Sequence, residues 1–381
     1  MNKSKIIRIT TADISLHSLL KGQLEFLNQE FEVVGLASNT GVLQEVGERE
    51  GIRVIDVPMH REISVVSDFR CLLKLIRVFR KERPFIVHSN TPKGSLLSMI
   101  AAKIVSVPNR LYLVTGLRYQ GASGFVRWLL KTMERITCLC ATKVIPEGEG
   151  VKETLLKDRI TDKPLEVIHN GNINGIDTSY FSREASPKSR EDIRSEIGLT
   201  KDDFAFIFIG RIVRDKGMNE LADTMRLLGR THSAIKLILV GSFESELDPL
   251  ASGNEDFFKS SINVKYVGRQ ADVRPFLLAA DALVFPSYRE GFPNVVLQAG
   301  AMGLPSIVTD INGCNEVISE GFNGVIIPPR NLDALVEKMT WFIEHPKEVN
   351  KMALNSRDII VSKYEQKDVW NSLLQMYKDL N

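Results

Sequence analysis

Three segments in the second half of this 381-residue chain combine glycines, cations and a carboxylate in a way that suits a phosphate-bearing ligand. The first is Gly210-Arg211-Ile212-Val213-Arg214-Asp215-Lys216-Gly217, which follows an apolar run and leads into a helical pattern near Met218. Gly210 and Gly217 permit close backbone approach. Arg211 offers a planar fork and Lys216 a point charge, and together they suit a diphosphate. An ordinary basic loop has the same composition, so this segment alone leaves both readings open. The second is Pro286-Ser287-Tyr288-Arg289-Glu290-Gly291-Phe292-Pro293-Asn294. Pro293 fits the first position of a helix, whose N–H is unsatisfied in any case, and the amides of Gly291, Phe292 and Asn294 then face an anion. A carboxylate beside such amides, here Glu290, is sensible only if it faces a polyol or a cation, and sugar hydroxyls meet that need. Gln298 follows on the same helix. The third is Gly268-Arg269-Gln270-Ala271-Asp272-Val273, where the main chain of a glycine-bounded loop can hold a base; Gly241 belongs to the same edge.

These segments need a scaffold that brings them together. Short β-branched, apolar runs alternate with helical patterns along the whole chain. In the first half they are 6–10, 31–38, 53–59, 85–90, 110–116 and 143–146; in the second, 204–210, 236–241, 264–268, 282–286, 305–310 and 324–328. Strands separated by helices of this length form parallel sheets with right-handed crossovers. The expected fold class is therefore α/β, with two doubly wound, Rossmann-like domains. The segment 169–177, rich in Gly, Asn and Asp, suits the linker between them. From Leu332 the chain reads as helical to its end, broken at His345-Pro346. In open sheets of this kind ligands sit beyond the carboxyl ends of the strands, which is where all three segments fall.

Composition narrows the function classes. Charged residues make up 25% and hydrophobic ones 44%, as in ordinary globular proteins. The start of the chain lacks the apolar core of a signal peptide and no stretch reaches the length of a membrane span, so the expected location is the cytoplasm. Cys71, Cys138, Cys140 and Cys314 have no metal-ligand spacing and read as reduced core thiols. The net charge of +2 hides an asymmetry: residues 1–170 carry 25 Lys and Arg against 18 Asp and Glu, and residues 70–135 hold 13 basic side chains but only Glu82 and Glu134 as acids. Such a block is either a solvated face or a surface that attracts something anionic. Within it Phe69, Leu72, Leu73, Ile76 and Phe79 share one side of a helix whose other sides are basic. This is either a core-facing helix with a wet back or a membrane-surface helix.

The order of these motifs is specific. Gly-Arg through Lys-Gly at 210–217, Val-Gly-Arg at 267–269, Phe-Pro-Ser through Pro-Asn at 285–294 and Ala-Met-Gly-Leu-Pro at 301–305 resemble the donor half of family-four glycosyltransferases of the GT-B fold. The first half is similar to the capsule and lipopolysaccharide branch of that family at Lys21-Gly22-Gln23, at Asp68 with its basic helix, and at Val87-His88-Ser89-Asn90-Thr91-Pro92-Lys93-Gly94. The resemblance implies two domains facing across a cleft: an acceptor domain over 1–170, a nucleotide-sugar domain over 171–360, and a helix at 361–381 that returns to the first. It implies transfer of a sugar from a nucleoside diphosphate, with uridine the favoured base, to a hydroxyl, with retention and with neither metal nor cofactor. Arg211 and Lys216 then stabilise the leaving diphosphate, and Glu290 holds donor hydroxyls as the first Glu of the family's Glu-x7-Glu motif. Gly210, Gly241, Gly268, Arg269, Gly291, Phe292, Pro293, Asn294 and Gln298 complete the donor site.

Two positions depart from the pattern. Gln298 replaces the second Glu, which grips the ribose; its amide still offers an acceptor oxygen. Thr115 stands where members often carry His, so a titrating group is absent there. His88, Lys93 and Thr115 are the candidate acceptor contacts. The implied partners are a polyprenyl-diphosphate-linked sugar and an anionic membrane surface at the inner face of the plasma membrane. A nucleotide-sugar epimerase and a catalytically silent nucleotide-sugar-binding subunit are the alternatives. Nucleic acid is not an expected partner, because the basic block has no recognition module.

Overall fold

The computed structural model describes residues 3–60, 64–246 and 248–380. It divides into two compact units, residues 1–175 with 367–381 and residues 176–366. In the first, the chain runs β1 (Lys5–Ala12), α1 (Asp13–Leu19), α2 (Gln23–Asn28), β2 (Glu32–Ser38), α3 (Leu43–Glu50) and β3 (Arg53–Asp56). It continues through α4 (Val65–Glu82), β4 (Ile86–Ser89), α5 (Pro92–Ile104), β5 (Asn109–Val114), α6 (Gly124–Cys140), β6 (Lys143–Pro146) and α7 (Glu149–Lys157). The second unit begins with α8 (Arg190–Glu196), β7 (Phe204–Ile209), α9 (Met218–Thr231), β8 (Ile235–Val240), α10 (Asn254–Ser260) and β9 (Val264–Gly268). Then come α11 (Arg274–Ala279), β10 (Ala282–Phe285), α12 (Asn294–Ala301), β11 (Ser306–Thr309), α13 (Cys314–Val317) and β12 (Gly324–Ile327). Three helices close the chain: α14 (Leu332–Glu344), α15 (Pro346–Tyr364) and α16 (Gln366–Lys378).

Each unit holds a six-stranded, all-parallel sheet, in the order β3-β2-β1-β4-β5-β6 in one and β12-β11-β10-β7-β8-β9 in the other. A parallel strand covered by helices on both faces has no solvated side, so it reads as an unbroken apolar run. β7, Phe-Ala-Phe-Ile-Phe-Ile, and β8, Ile-Lys-Leu-Ile-Leu-Val, are such runs, and their side chains form the centre of the second core. The first sheet has separate cores on its two faces, one under α4–α6 and one under α1–α3 and α16.

α16 belongs to the first unit, and its anchors are visible. The Trp370 indole packs on Gly22, where a Cβ would fall 2.7 Å from the ring, and its Nε1 donates to Asn174 Oδ1 at 2.7 Å. Gln23 Nε2 donates to the Ile173 carbonyl at 2.9 Å, and Leu373 and Tyr377 enter the core. The chain crosses between units at 175–176 and 366–367. These crossings lie side by side, because Ile176 and the 364–366 segment exchange backbone hydrogen bonds of 2.8 and 3.0 Å.

Candidate functional site

Where the strand order of an open parallel sheet reverses, the two flanking loops diverge and leave room for a ligand. In the second unit that point lies between β7 and β10. The chain leaves β7 at Gly210 and makes a short 3₁₀ turn at Arg214–Lys216; it leaves β10 into the 286–293 loop. Lys216 and Glu290 meet there as an ion pair, with side chains 14% and 17% exposed. Ser287 Oγ donates to Glu290 Oε1 at 2.9 Å. The two loops are tied further by the Tyr288 amide donating to the Asp215 carbonyl at 3.0 Å and by Arg289 pairing with Asp215 at 2.8 Å. Tyr288 Oη donates to the Glu220 carboxylate at 2.7 Å, fixing the loop to α9. The pair therefore sits in a braced frame and remains within reach of solvent.

Glycine makes this approach possible. Gly217 adopts a φ of 71°, and a Cβ there would overlap the Pro286 carbonyl oxygen. Any other residue would push the Lys216 turn away from the β10 loop. Gly313, which the sequence reading did not single out, supports the far side: a Cβ would come within 2.7 Å of the Gly291 oxygen and the Phe292 Cα. The Asn312-Gly313 dipeptide after a strand is a turn signal that marks the position.

Other donor-side candidates spread along the adjoining edge. Gly210, Gly241 and Gly268 lie at the ends of β7, β8 and β9, linked by Gly210 N to Val240 O at 3.0 Å and Gly241 N to Gly268 O at 2.9 Å. Arg211 is about half exposed and pairs with Glu244 at 3.0 Å; Arg269 is exposed after β9. Next to Gly241 the Phe243 and Tyr266 rings meet edge to face at 5.2 Å, and Tyr266 Oη donates to the Gly241 carbonyl at 3.3 Å. These two aromatics also escaped the sequence reading, since each looks like strand-edge packing. Pro293 is the N-cap of α12 and not its first helical residue, with φ −79° and ψ 107°; the helix starts at Asn294. The Phe292 ring is buried against Tyr364 at 5.5 Å, so only its backbone can face a ligand. Gln298 is half-buried on α12. Beneath the site burial pushes the Cys314 thiol well above its ordinary range, with the Glu290 carboxylate adding to it, so this cysteine is not a nucleophile.

The first unit has its own reversal, between β1 and β4. Here neutral groups dominate. The Thr11 amide donates to Thr91 Oγ1 at 2.7 Å, Gly94 N donates to Thr11 Oγ1 at 3.0 Å, and Thr115 Oγ1 donates to the Asn90 carbonyl at 2.8 Å. The expectation for His88 is corrected. It lies within β4, fully buried, and its Nδ1 accepts hydrogen bonds from Arg8 Nη1 at 2.6 Å and from Tyr377 Oη. Burial, with the Arg8 charge second, holds its pKa well below the usual histidine range, so the ring is neutral and serves the core. Lys93 lies in the first turn of α5, 8% exposed, and its ammonium pairs with Asp68 at 2.6 Å. Thr115 is half-buried and ties β5 to β4.

Comparison with known proteins fits this geometry. The family model described as Glycosyl transferases group 1 matches residues 189–359, and that described as Glycosyltransferase Family 4 matches residues 16–179. The capsular polysaccharide biosynthesis glycosyltransferase CapM of Staphylococcus aureus is 32% identical, over 99% of this chain and 97% of its own length. The UDP-Gal:α-D-GlcNAc-diphosphoundecaprenol α-1,3-galactosyltransferase of Escherichia coli is 27% identical over 99% of both. Among solved structures, HepE of Anabaena in complex with UDP superposes with a TM-score of 0.79 over 99% of this chain and 100% of its own, at 17% identity.

Proposed function

The chain belongs to glycosyltransferase family 4, has the GT-B fold and is a glycosyltransferase of polysaccharide assembly; from that premise we propose that it moves a sugar, with retention and without a metal, from a UDP-sugar to a polyprenyl-diphosphate-linked sugar. The observation that carries this reading is the Lys216–Glu290 pair at the β7/β10 reversal. Departure of a nucleoside diphosphate builds negative charge on phosphate oxygens while the sugar becomes oxocarbenium-like. Lys216, Arg211 and the amides at the start of α12 meet the first charge. Glu290 takes sugar hydroxyls, and Lys216 holds it in place until they arrive. Gln298 offers its amide oxygen to the ribose, and the glycine-bounded edge at Gly241 and Gly268 takes the base. The donor and acceptor classes are supported by the name of the Escherichia coli relative, which uses UDP-Gal and a diphosphoundecaprenol-linked sugar. The basic block of the first unit suits an enzyme that meets such an acceptor at the inner, anionic face of the membrane.

The test is nucleotide release from a panel of UDP- and GDP-sugars, with and without a lipid-diphosphate-linked sugar. Acceptor-dependent release that Glu290→Ala and Lys216→Ala both abolish is the expected result. Isomerisation of the donor sugar without acceptor and without net nucleotide release would indicate an epimerase. Binding without turnover across the panel would indicate a silent subunit, for which Gln298 and Thr115 are the motivation.

A further inference from the structure

Arg8 lies within the first sheet with no exposed surface, in register between Gly35 of β2 and His88 of β4. It points to the face that α16 covers, because it reaches Tyr377 there. Its Nη1 donates to His88 Nδ1 at 2.6 Å and to Tyr377 Oη at 2.7 Å. Its Nε and Nη2 are buried and find no hydrogen-bond partner among the described residues. These two nitrogens form one edge of the guanidinium, a fork that grips anions through two parallel N–H groups. Arg274 uses the same edge in this protein: its Nε donates to Asp272 Oδ1 at 2.9 Å and its Nη2 to Asp272 Oδ2 at 2.7 Å.

The surroundings of Arg8 leave its charge unanswered. A guanidinium keeps its proton even in a core, and a buried charge without a counter-ion is strongly destabilising. Both partners of Arg8 are neutral. His88 accepts at Nδ1, so the proton of the neutral ring sits on Nε2, a second buried donor without a partner among the described residues. Burial raises the pKa of the Tyr377 phenol more than Arg8 lowers it, so this side chain is no phenolate counter-ion. On the β2 side, the atoms nearest a Cβ at Gly35 belong to Ile52, Val54 and Leu16, all apolar. Gln23 Oε1, on α2 over the same core, is an unanswered acceptor, but a neutral amide cannot offset a charge.

We infer that the Nε–Nη2 edge of Arg8 is a buried binding site for a small monovalent anion, of the size and charge of chloride, on the α16 side of β1. One enclosed cation answers one negative charge, and a divalent anion would leave the second uncompensated in the core. The anion neutralises the residue to which α16 is bonded through Tyr377, so it supports the return of that helix to the first unit. The inference does not rest on the transferase reading.

The experiment uses the full chain, without donor or acceptor, in sodium chloride and in sodium gluconate at equal ionic strength. A ligand that binds only the folded state raises the melting temperature with its concentration. Each tenfold rise in chloride above its dissociation constant should raise the melting temperature by roughly 3–6 °C, with gluconate and sulfate unable to replace it. Arg8→Met keeps an unbranched side chain without the charge and should abolish the chloride dependence. Crystals of the wild type grown in sodium bromide should show an anomalous peak within hydrogen-bond reach of Arg8 Nε and Nη2. That measurement decides the matter even where Arg8→Met does not fold. Equal melting of the wild type in chloride and gluconate would overturn the inference. So would a chloride dependence retained in Arg8→Met, or a water molecule and no bromide at the Arg8 edge.

Discussion

Replacing Lys216 by methionine keeps the length of the side chain and removes its charge, which separates two consequences of the pair. An ammonium in contact with a diphosphate oxygen, at about 4 Å and an effective dielectric of about 20, stabilises a full charge by about 4 kcal/mol. The bound diphosphate already carries much of that charge, so the loss specific to the transition state is about 3 kcal/mol, or roughly a hundredfold in kcat. The second consequence is structural. Glu290 is 17% exposed and, among the described residues, would keep only the Ser287 hydroxyl as a hydrogen-bond partner. Leaving a mostly buried carboxylate without its cation costs about 1–2 kcal/mol, less than for a fully enclosed pair because some solvent reaches it. Adding Glu290→Gln to Lys216→Met removes the stranded charge, so the double variant should melt above the Lys216→Met variant. Neither charge can act well without the other, so the losses in kcat should be non-additive by at least about 1 kcal/mol. Steady-state UDP release with the lipid-linked acceptor reads the first effect, and calorimetric melting the second. A folded Lys216→Met enzyme within threefold of wild-type kcat would refute the assignment.

Gln298→Glu restores the charged acceptor that the family pattern carries and should tighten UDP binding roughly three- to tenfold by calorimetry; unchanged or weaker binding removes this residue from the ribose site. Glu134 has its carboxyl pushed up to about 7 by burial, against an ordinary value of 4.5. Its contribution to stability is complete below about pH 4.5 and is lost as pH rises through 7, so Glu134→Gln, which still accepts from Tyr112, should gain on the wild type across that window in melting experiments. Glu82 has the opposite sign: Arg53, and Lys5 to a lesser degree, hold its carboxyl down at about 2, so its stabilisation is present above pH 4.5 and lost on acidification through 2. Denaturation of Glu82→Gln should therefore be less steeply pH-dependent in acid. Tyr377→Phe takes one partner from each of Arg8 and His88 inside the core and should cost about 1–3 kcal/mol in urea denaturation; a cost under about 0.5 kcal/mol would mean that water already serves these groups.

The sheets were legible because their strands are buried on both faces, and a residue pattern with no polar side has few alternative readings. The run expected over 53–59 shows the limit: β3 stops at Asp56, two residues before Pro58, which has no N–H for a ladder. α4 shows a second limit. The apolar stripe through Phe69, Leu72, Leu73, Ile76 and Phe79 was the expected core face, yet the helix buries Cys71, Leu75 and Phe79 and leaves Phe69 and Leu73 out. A helix apolar on more than one side has two acceptable phases, and only the neighbouring α5 chooses between them. The donor-side cluster was legible because its residues are local to two loops. His88 was misplaced because its role depends on Arg8 and on Tyr377, 289 residues away, which no local pattern reveals.

The two sheets have the same topology but put different chemistry at the reversal, and this difference bears on how the work is divided. At β7/β10 a cation and a carboxylate face each other near solvent, a pair that can exchange partners with a ligand carrying both phosphate and hydroxyls. At β1/β4 the groups are mainly neutral, threonine hydroxyls and the buried Asn90 side-chain amide, which finds no hydrogen bond among the described residues; the charged neighbours are Asp13, held by the Thr40 and Val42 amides, and Lys93, paired with Asp68. Neutral donors and acceptors of this kind suit a polyol and do little for a diphosphate. A block of exposed cations stands instead on α4 (Arg70, Lys74, Arg77, Lys81) and α6 (Arg127, Arg135). A substrate that is a sugar at one end and an anionic lipid at the other needs this separation: hydroxyl-binding groups at the sheet edge and positive charge on the helices that meet the lipid. If the acceptor were a soluble oligosaccharide, the charge on α4 and α6 would have no ligand to answer. Neutralising it with Arg70→Gln, Lys74→Gln and Arg77→Gln would then leave KM unchanged; for a lipid-linked acceptor presented in anionic vesicles, KM should rise severalfold while kcat holds.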